Sequence, residues 1–178
     1  CQTACTGSCM ACNLNPTPGV CTAVKSAEDA GTCSGTKYCD SGGACVTKLT
    51  PGTACGTTVQ CASGVCSSSD NVCCDSDCTG LCQSCVAAKT GKGAGVCSPV
   101  TVATDPDVEC TDQGAASCGQ NGSCNGAGAC QKYAAATVCL AQSCTGTTQT
   151  NASTCNGTGT CQAGSSAEMV STLWLRPY

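Results

Sequence analysis

Cysteine fills 25 of the 178 positions and histidine fills none. That density marks a disulfide scaffold. The missing histidine removes the neutral imidazole that metals favour and the side chain that titrates near pH 7. It also removes the base of any Cys–His or Ser–His nucleophile pair. The pattern points to a chain held together by cross-links, with non-enzymatic work outside the cell, and it assigns no catalytic or cofactor-binding residues.

The apolar content cannot supply a conventional core. Phenylalanine and isoleucine are absent, and the leucines are Leu14, Leu49, Leu81, Leu140, Leu173 and Leu175. Burying a large aliphatic side chain contributes roughly 1.5–3 kcal/mol, against ordering costs of about 1–2 kcal/mol per residue. Cross-links must make up the difference, at roughly 2–4 kcal/mol each. Only 10% of residues are charged and the net charge is −4, so no basic surface is available for nucleic acid or anionic lipid. No apolar stretch is long enough to cross a membrane as a helix. Disulfides on this scale require an oxidising compartment. An extracellular or cell-surface location is expected, with a leader already removed or with the chain cut from a longer secreted protein.

The cysteines repeat. Cys1, Cys5, Cys9 and Cys12 recur at Cys74, Cys78, Cys82 and Cys85, a shift of 73. Cys33, Cys39 and Cys45 recur at Cys118, Cys124 and Cys130, a shift of 85. Cys21 corresponds to Cys97, Cys55 and Cys61 to Cys139 and Cys144, and, more loosely, Cys66 and Cys73 to Cys155 and Cys161. This divides the chain into a first repeat at 1–73, a second at 74–164 and a cysteine-free apolar tail at 165–178. The first repeat holds twelve cysteines and can close on itself; the second holds thirteen, and Cys110 has no counterpart. Cys110 is therefore the expected odd thiol, free to pair across chains. The connectivity itself cannot be read from the spacing. Repeats that abut without a linker suggest a stiff, elongated array.

The expected fold class is small and disulfide-rich: tandem stapled repeats of short β-hairpins and loops with little regular secondary structure. Gly42-Gly43, Asn121-Gly122, Asn125-Gly126 and Asn156-Gly157 are hairpin-turn signals. The C-x5-C segments Cys124 to Cys130 and Cys155 to Cys161 read as tight loops or two-stranded ribbons. The C-x3-C-x2-C spacing over Cys5 to Cys12 and Cys78 to Cys85 suits short helical turns. Val100 to Thr104 and Gly146 to Thr150 read as strands or extended spacers.

Four motifs invite a sharper reading. Cys9-Met-Ala-Cys12 and Cys82-Gln-Ser-Cys85 have the spacing of zinc or redox pairs, yet they lie among further cysteines with no histidine. Structural disulfides are expected there. The loop containing Asp105, Asp107 and Asp112 offers hard oxygen donors and is the candidate calcium site, although it lacks the glycine turn and terminal glutamate of known calcium loops; a solvated acidic loop is the expected state. Cys1 could be a lipidated first residue, but its match to the internal Cys74 favours an ordinary bridge. Asn121, Asn151 and Asn156 fit the N-glycosylation pattern, which chance alone produces in a chain so rich in Ser, Thr and Asn. The stretch Ala167 to Tyr178 gathers apolar residues that the rest lacks. It is expected to pack as a terminal strand on its own repeat, or else to dock on a neighbour by strand addition through Leu173, Trp174, Leu175 and Tyr178.

The string CCDSDCTGLCQSC … GVCSPV … SCGQNGSCNGAGACQKYAAATVC … CNGTGTC resembles the cysteine-rich repeats in large secreted or surface proteins of myxobacteria and related deltaproteobacteria. The resemblance extends to about Gly164. It implies stalk, adhesion or spacer material, and it carries over no catalytic residues. The tail departs from it, since such proteins usually continue with more cysteines. The expected function is a rigid extracellular stalk or fibre subunit that associates with itself or with a neighbouring surface protein, with a glycan as a further partner. The rival is a secreted ligand-binding, adhesive or inhibitory module that presents loops such as 86–96 or 134–138.

Overall fold

The computed structural model describes residue 1 and residues 4–169. Regular structure is sparse, as the composition requires. Among the described residues, fourteen strands of two to five residues and one four-residue helix are linked by turns and two single-turn 3-10 segments. The strands form two- and three-stranded antiparallel sheets. The chain divides into two compact units, Cys1–Thr101 and Val102–Tyr178. The first unit runs past the Cys73-Cys74 repeat boundary.

The interior is made of sulfur. Among the described residues, the buried apolar side chains are all cysteines apart from Val24, Tyr38 and Val100. Every cysteine except Cys144 is disulfide-bonded. The bridges Cys1–Cys12, Cys5–Cys21, Cys9–Cys39, Cys33–Cys45, Cys55–Cys66 and Cys61–Cys73 pair all twelve cysteines of the first repeat among themselves. The closure that parity permits is thus realised.

The first unit begins with a ribbon of β1 (Met10–Ala11) and β2 (Thr22–Ala23), followed by a hairpin of β3 (Lys37–Cys39) and β4 (Cys45–Thr47). The second repeat rebuilds the ribbon as β5 (Gln83–Ser84) and β6 (Ser98–Pro99). The helix expected over Cys5 to Cys12 and Cys78 to Cys85 does not form. Cys9 and Cys82 sit at φ 58° and 54°, in the left-handed region, where a right-handed helix cannot continue. From there each chain enters a strand. The carbonyl of Cys9 accepts from the Val24 N–H and that of Cys82 from the Val100 N–H, both at 2.8 Å. One unusual backbone conformation at equivalent cysteines repeats the local fold. Between β5 and β6 lies α1 (Ala87–Thr90), capped by Gly91 at φ 67°.

The second unit contains the hairpin of β7 (Gln120–Cys124) and β8 (Cys130–Lys132). After it come β9 (Val138–Leu140), β10 (Ser143–Thr145), β11 (Thr148–Thr150), β12 (Ser153–Cys155), β13 (Cys161–Gln162) and β14 (Ser166–Glu168). Two three-stranded sheets result, ordered β13-β12-β9 and β10-β11-β14. The described start of the tail is therefore a strand on its own chain, with Gln149 opposite Ala167. Residues 170–178, with Leu173, Trp174, Leu175 and Tyr178, lie outside the described residues.

Three of the C-x5-C segments are one device. In each, the two cysteines are direct cross-strand partners: Cys39 with Cys45, Cys124 with Cys130, and Cys155 with Cys161. In each, the residue after the first cysteine closes the loop through its side-chain oxygen. Asp40 accepts from the Gly42 and Ala44 N–H groups, Asn125 from Ala127 and Ala129, and Asn156 from Thr158 and Thr160. The turn signals at 42–43, 125–126 and 156–157 thus lie in hairpin turns. Asn121-Gly122 does not: it lies inside β7, where the register slips and a bulge forms. Of the two Thr/Val runs, 148–150 is a strand, while 100–104 is not, as pairing there ends at Pro99.

The repeat boundary is closely packed. The N–H of Gly52 donates to the Cys73 carbonyl at 2.7 Å, and that of Asp75 to the Gly95 carbonyl at 2.9 Å. Gly52 has φ +81°, and a Cβ there would lie 3.1 Å from the Ala94 carbonyl carbon. Both the conformation and the space demand glycine. Gly52→Ala is expected to destabilise the oxidised protein by about 1–3 kcal/mol, measured by denaturant unfolding, whereas Gly64→Ala, at φ +74° but in open space, should cost less.

Candidate functional site

The odd cysteine is Cys144, not Cys110. Cys110 is buried and bonded to Cys130. The cause can be traced through the repeat. In the first repeat Cys33 bonds Cys45, and the equivalent bond in the second would join Cys118 to Cys130. The inserted Cys110 takes Cys130 instead. Cys118 then bonds Cys155, Cys139 bonds Cys161, and Cys144 is left without a partner. The surplus enters at one position and emerges 34 residues later. Counting within aligned repeats identifies the insertion but not where the unpaired sulfur ends up.

Cys144 is placed by a tight hairpin. β10 and β11 pair with Thr145 opposite Thr148, leaving a two-residue loop in which Gly146 has φ +60°. That conformation suits glycine, and such loops fit the strand twist. Cys144 faces Gln149 across the ladder. β14 occupies the other side of β11, so β10 is an edge strand. All three of its residues are exposed. Exposed Val138 and Leu140 lie on β9, shortly before it. The result is an accessible thiol on a strand edge that is unpaired among the described residues, the kind of edge that pairs readily with another chain.

The acidic loop spends its carboxylates locally. Asp105 accepts from the N–H groups of Glu109 (3.0 Å) and Cys110 (2.8 Å). Asp112 accepts from the Gly114 N–H and from the Tyr133 hydroxyl at 2.6 Å. The Tyr133 hydroxyl, reinforced by the Gly114 N–H, holds the Asp112 carboxyl below its ordinary range, and Asp112 in turn pushes the Tyr133 hydroxyl up. Asp107 is exposed. Two of the three calcium candidates thus act as loop-closing acceptors.

The C-x-x-C cysteines do not bond each other. Cys9 is joined to Cys39, Cys12 to Cys1 and Cys85 to Cys74, and Cys82 is also bridged. Several sulfurs crowd together, as with Cys9, Cys33 and Cys39. A metal binds the thiolate, and these bonded sulfurs have none. Cys1, the lipidation candidate, has the ordinary partner that its repeat position implies. Of the glycosylation-pattern residues, Asn151 is exposed and donates to the Ser165 hydroxyl, while Asn121 and Asn156 are half-buried with their side-chain oxygens engaged.

A second polar cluster lies in the first unit. The Asp70 side chain is only 1% exposed. Its carboxylate accepts from the Ser84 hydroxyl (2.9 and 3.0 Å), the Cys85 N–H (2.7 Å) and the Lys89 ammonium (3.0 Å). Burial alone would push its pKa up. The hydrogen bonds from Cys85, Lys89 and Ser84, together with the lysine charge, outweigh that and hold it below the usual carboxylate range. Nothing in the sequence marked Asp70, since its partners become neighbours only when the ribbon folds.

No known protein family, curated protein or solved structure matches the chain.

Alkylation of the oxidised protein under denaturing, non-reducing conditions should label one cysteine, Cys144, as read by peptide mass spectrometry. Label at Cys110 would contradict the displaced pairing.

Proposed function

We propose that the chain is a non-enzymatic extracellular structural module, a disulfide-stapled stalk or fibre subunit at the cell surface. One observation carries this reading. A stapled frame built on cysteine spends every sulfur but one internally and leaves that one exposed on an edge strand. Disulfides on this scale need an oxidising compartment, and among the described residues no helix is long and apolar enough to cross a membrane. The resemblance to myxobacterial surface repeats supports the same reading.

Cys144 is the proposed link to the next subunit. Joining two Cys144 thiols releases two protons and two electrons. Oxidised glutathione can accept them through a mixed disulfide, which the second thiol then resolves. The short edge strand would set the orientation of the join, with exposed Val138 and Leu140 close by in sequence.

Incubation with a glutathione redox buffer, followed by non-reducing electrophoresis and electron microscopy, tests the proposal. A covalent dimer that reductant dissolves and that Cys144→Ser abolishes is expected, with elongated particles. A protein that stays a compact monomer under these conditions would favour the rival, a loop-presenting module that binds a protease or a glycan.

A further inference from the structure

The first repeat is covalently complete, because its twelve cysteines are bonded among themselves. No disulfide can therefore tie it to the second repeat. Cys73 and Cys74 are neighbours in the chain, but they belong to different bridges, Cys61–Cys73 and Cys74–Cys85. Apart from the peptide bond, the start of the second repeat is held to the first by non-covalent contacts. Part of that hold is apolar: Val65 and Val72 pack on the cluster of Cys74, Cys78 and Cys85. The other part is polar: the Cys74 N–H donates to the Val65 carbonyl at 3.0 Å, and the side-chain contacts centre on Asp70. Its carboxylate reaches across the boundary to Ser84, Cys85 and Lys89. Ser69 supports it by donating to the Cys78 carbonyl at 3.0 Å. The Ser67 hydroxyl oxygen fixes the turn by accepting from the Asp70 N–H at 3.3 Å.

We propose that Asp70 is a proton-operated joint between the repeats: ionised, it locks the end of the first repeat onto residues 84–89, and protonated, it releases them while every disulfide stays closed. The charge facing it comes from Lys89 on α1. β5 and its end present the Ser84 hydroxyl and the Cys85 N–H, and its own segment presents Ser67 and Ser69. Asp75, the next acid along, turns instead to the Cys97 N–H and the Ser76 hydroxyl.

The energetics favour a switch at this point. Removing one partner of a buried, hydrogen-bonded ion pair leaves the other uncompensated, which is strongly destabilising. Protonation makes one carboxyl oxygen a donor where a donor already points at it, and it removes the negative charge that faces the Lys89 ammonium, whose side chain is 23% exposed. The folded pKa is lowered, so the contribution is complete above the ordinary aspartate pKa, about 4. It is lost as the pH falls through the lower folded value. The bridges neither gain nor lose protons in this range, so acid acts on the joint and spares the staples.

Amide hydrogen exchange on the oxidised full chain between pH 6 and pH 2 tests the joint, with protection corrected for intrinsic rates. The Cys85 amide should lose about tenfold or more of its protection as Asp70 protonates. The amides of Cys39 and Ala62, bonded within the first repeat to Ala27 and Leu49, should keep theirs. Asp70→Asn should show the released state at pH 6. Lys89→Met should move the transition to higher pH, since losing the cation raises the Asp70 pKa. This variant keeps the question decidable should Asp70→Asn fail to fold. Retention of Cys85 protection through the titration of Asp70 would overturn the proposal. So would its loss together with Cys39 and Ala62, or an unmoved midpoint in Lys89→Met.

Discussion

A sulfur can join only one disulfide, and the architecture follows from how that single bond is spent. In each C-x5-C hairpin the two cysteines face each other across the ladder and yet bond elsewhere. Cys39 reaches back to Cys9 and Cys45 to Cys33. Cys155 goes to Cys118 and Cys161 to Cys139. A bridge between facing partners would close a loop that the hairpin already closes. Turning outward, the same two sulfurs fasten each strand to a different distant segment and close loops with sequence separations of 12 to 37 residues. Longer loops restrict the unfolded chain more. An isolated two-stranded hairpin is at best marginal; stapled on both strands, it becomes a building block.

The same monovalency explains why one inserted residue has distant consequences. Cys110 cannot simply be added to the first repeat's pattern. It captures Cys130, Cys118 must find another partner, and the displacement passes along to Cys144. The second repeat therefore keeps the hairpins and the left-handed cysteine of the first while rewiring the sulfur that surrounds them. Backbone geometry is conserved between the repeats where hydrogen bonds and φ values set it, and connectivity changes where sulfurs are close enough to be exchanged.

This also separates what could be read in advance from what could not. The fold class was legible because composition alone rules out an aliphatic core. The hairpin turns after Cys39, Cys124 and Cys155 were legible from their Gly-Gly and Asn-Gly pairs because turn chemistry acts within a few residues. Closure of the first repeat was permitted by an even count, and the bridges themselves were not legible. The helical reading of Cys5 to Cys12 failed because three- and four-residue spacing says nothing about a non-glycine residue at positive φ, which tertiary bridging imposes on Cys9. Cys144 was missed because pairing is a global assignment. Asp70 was missed because its donors lie 14 to 19 residues away and meet it only after the second ribbon forms.

A chain stabilised by sulfur has two kinds of weak point, and both occur here. One is a sulfur with no partner, Cys144, whose chemistry answers to the redox state outside the molecule. The other is a boundary that no sulfur crosses, where a buried carboxylate must do what bridges do elsewhere. A disulfide at that boundary would have been indifferent to pH. A buried apolar pair in place of Asp70 and Lys89 would also have been insensitive to it, and exchanging buried ion pairs for such residues often costs no stability. An ionisable group at the joint therefore confers acid sensitivity on a boundary in a structure whose covalent fastenings do not titrate. The two weak points respond to different variables, electrons at the strand edge and protons at the repeat boundary, so each can be altered without the other.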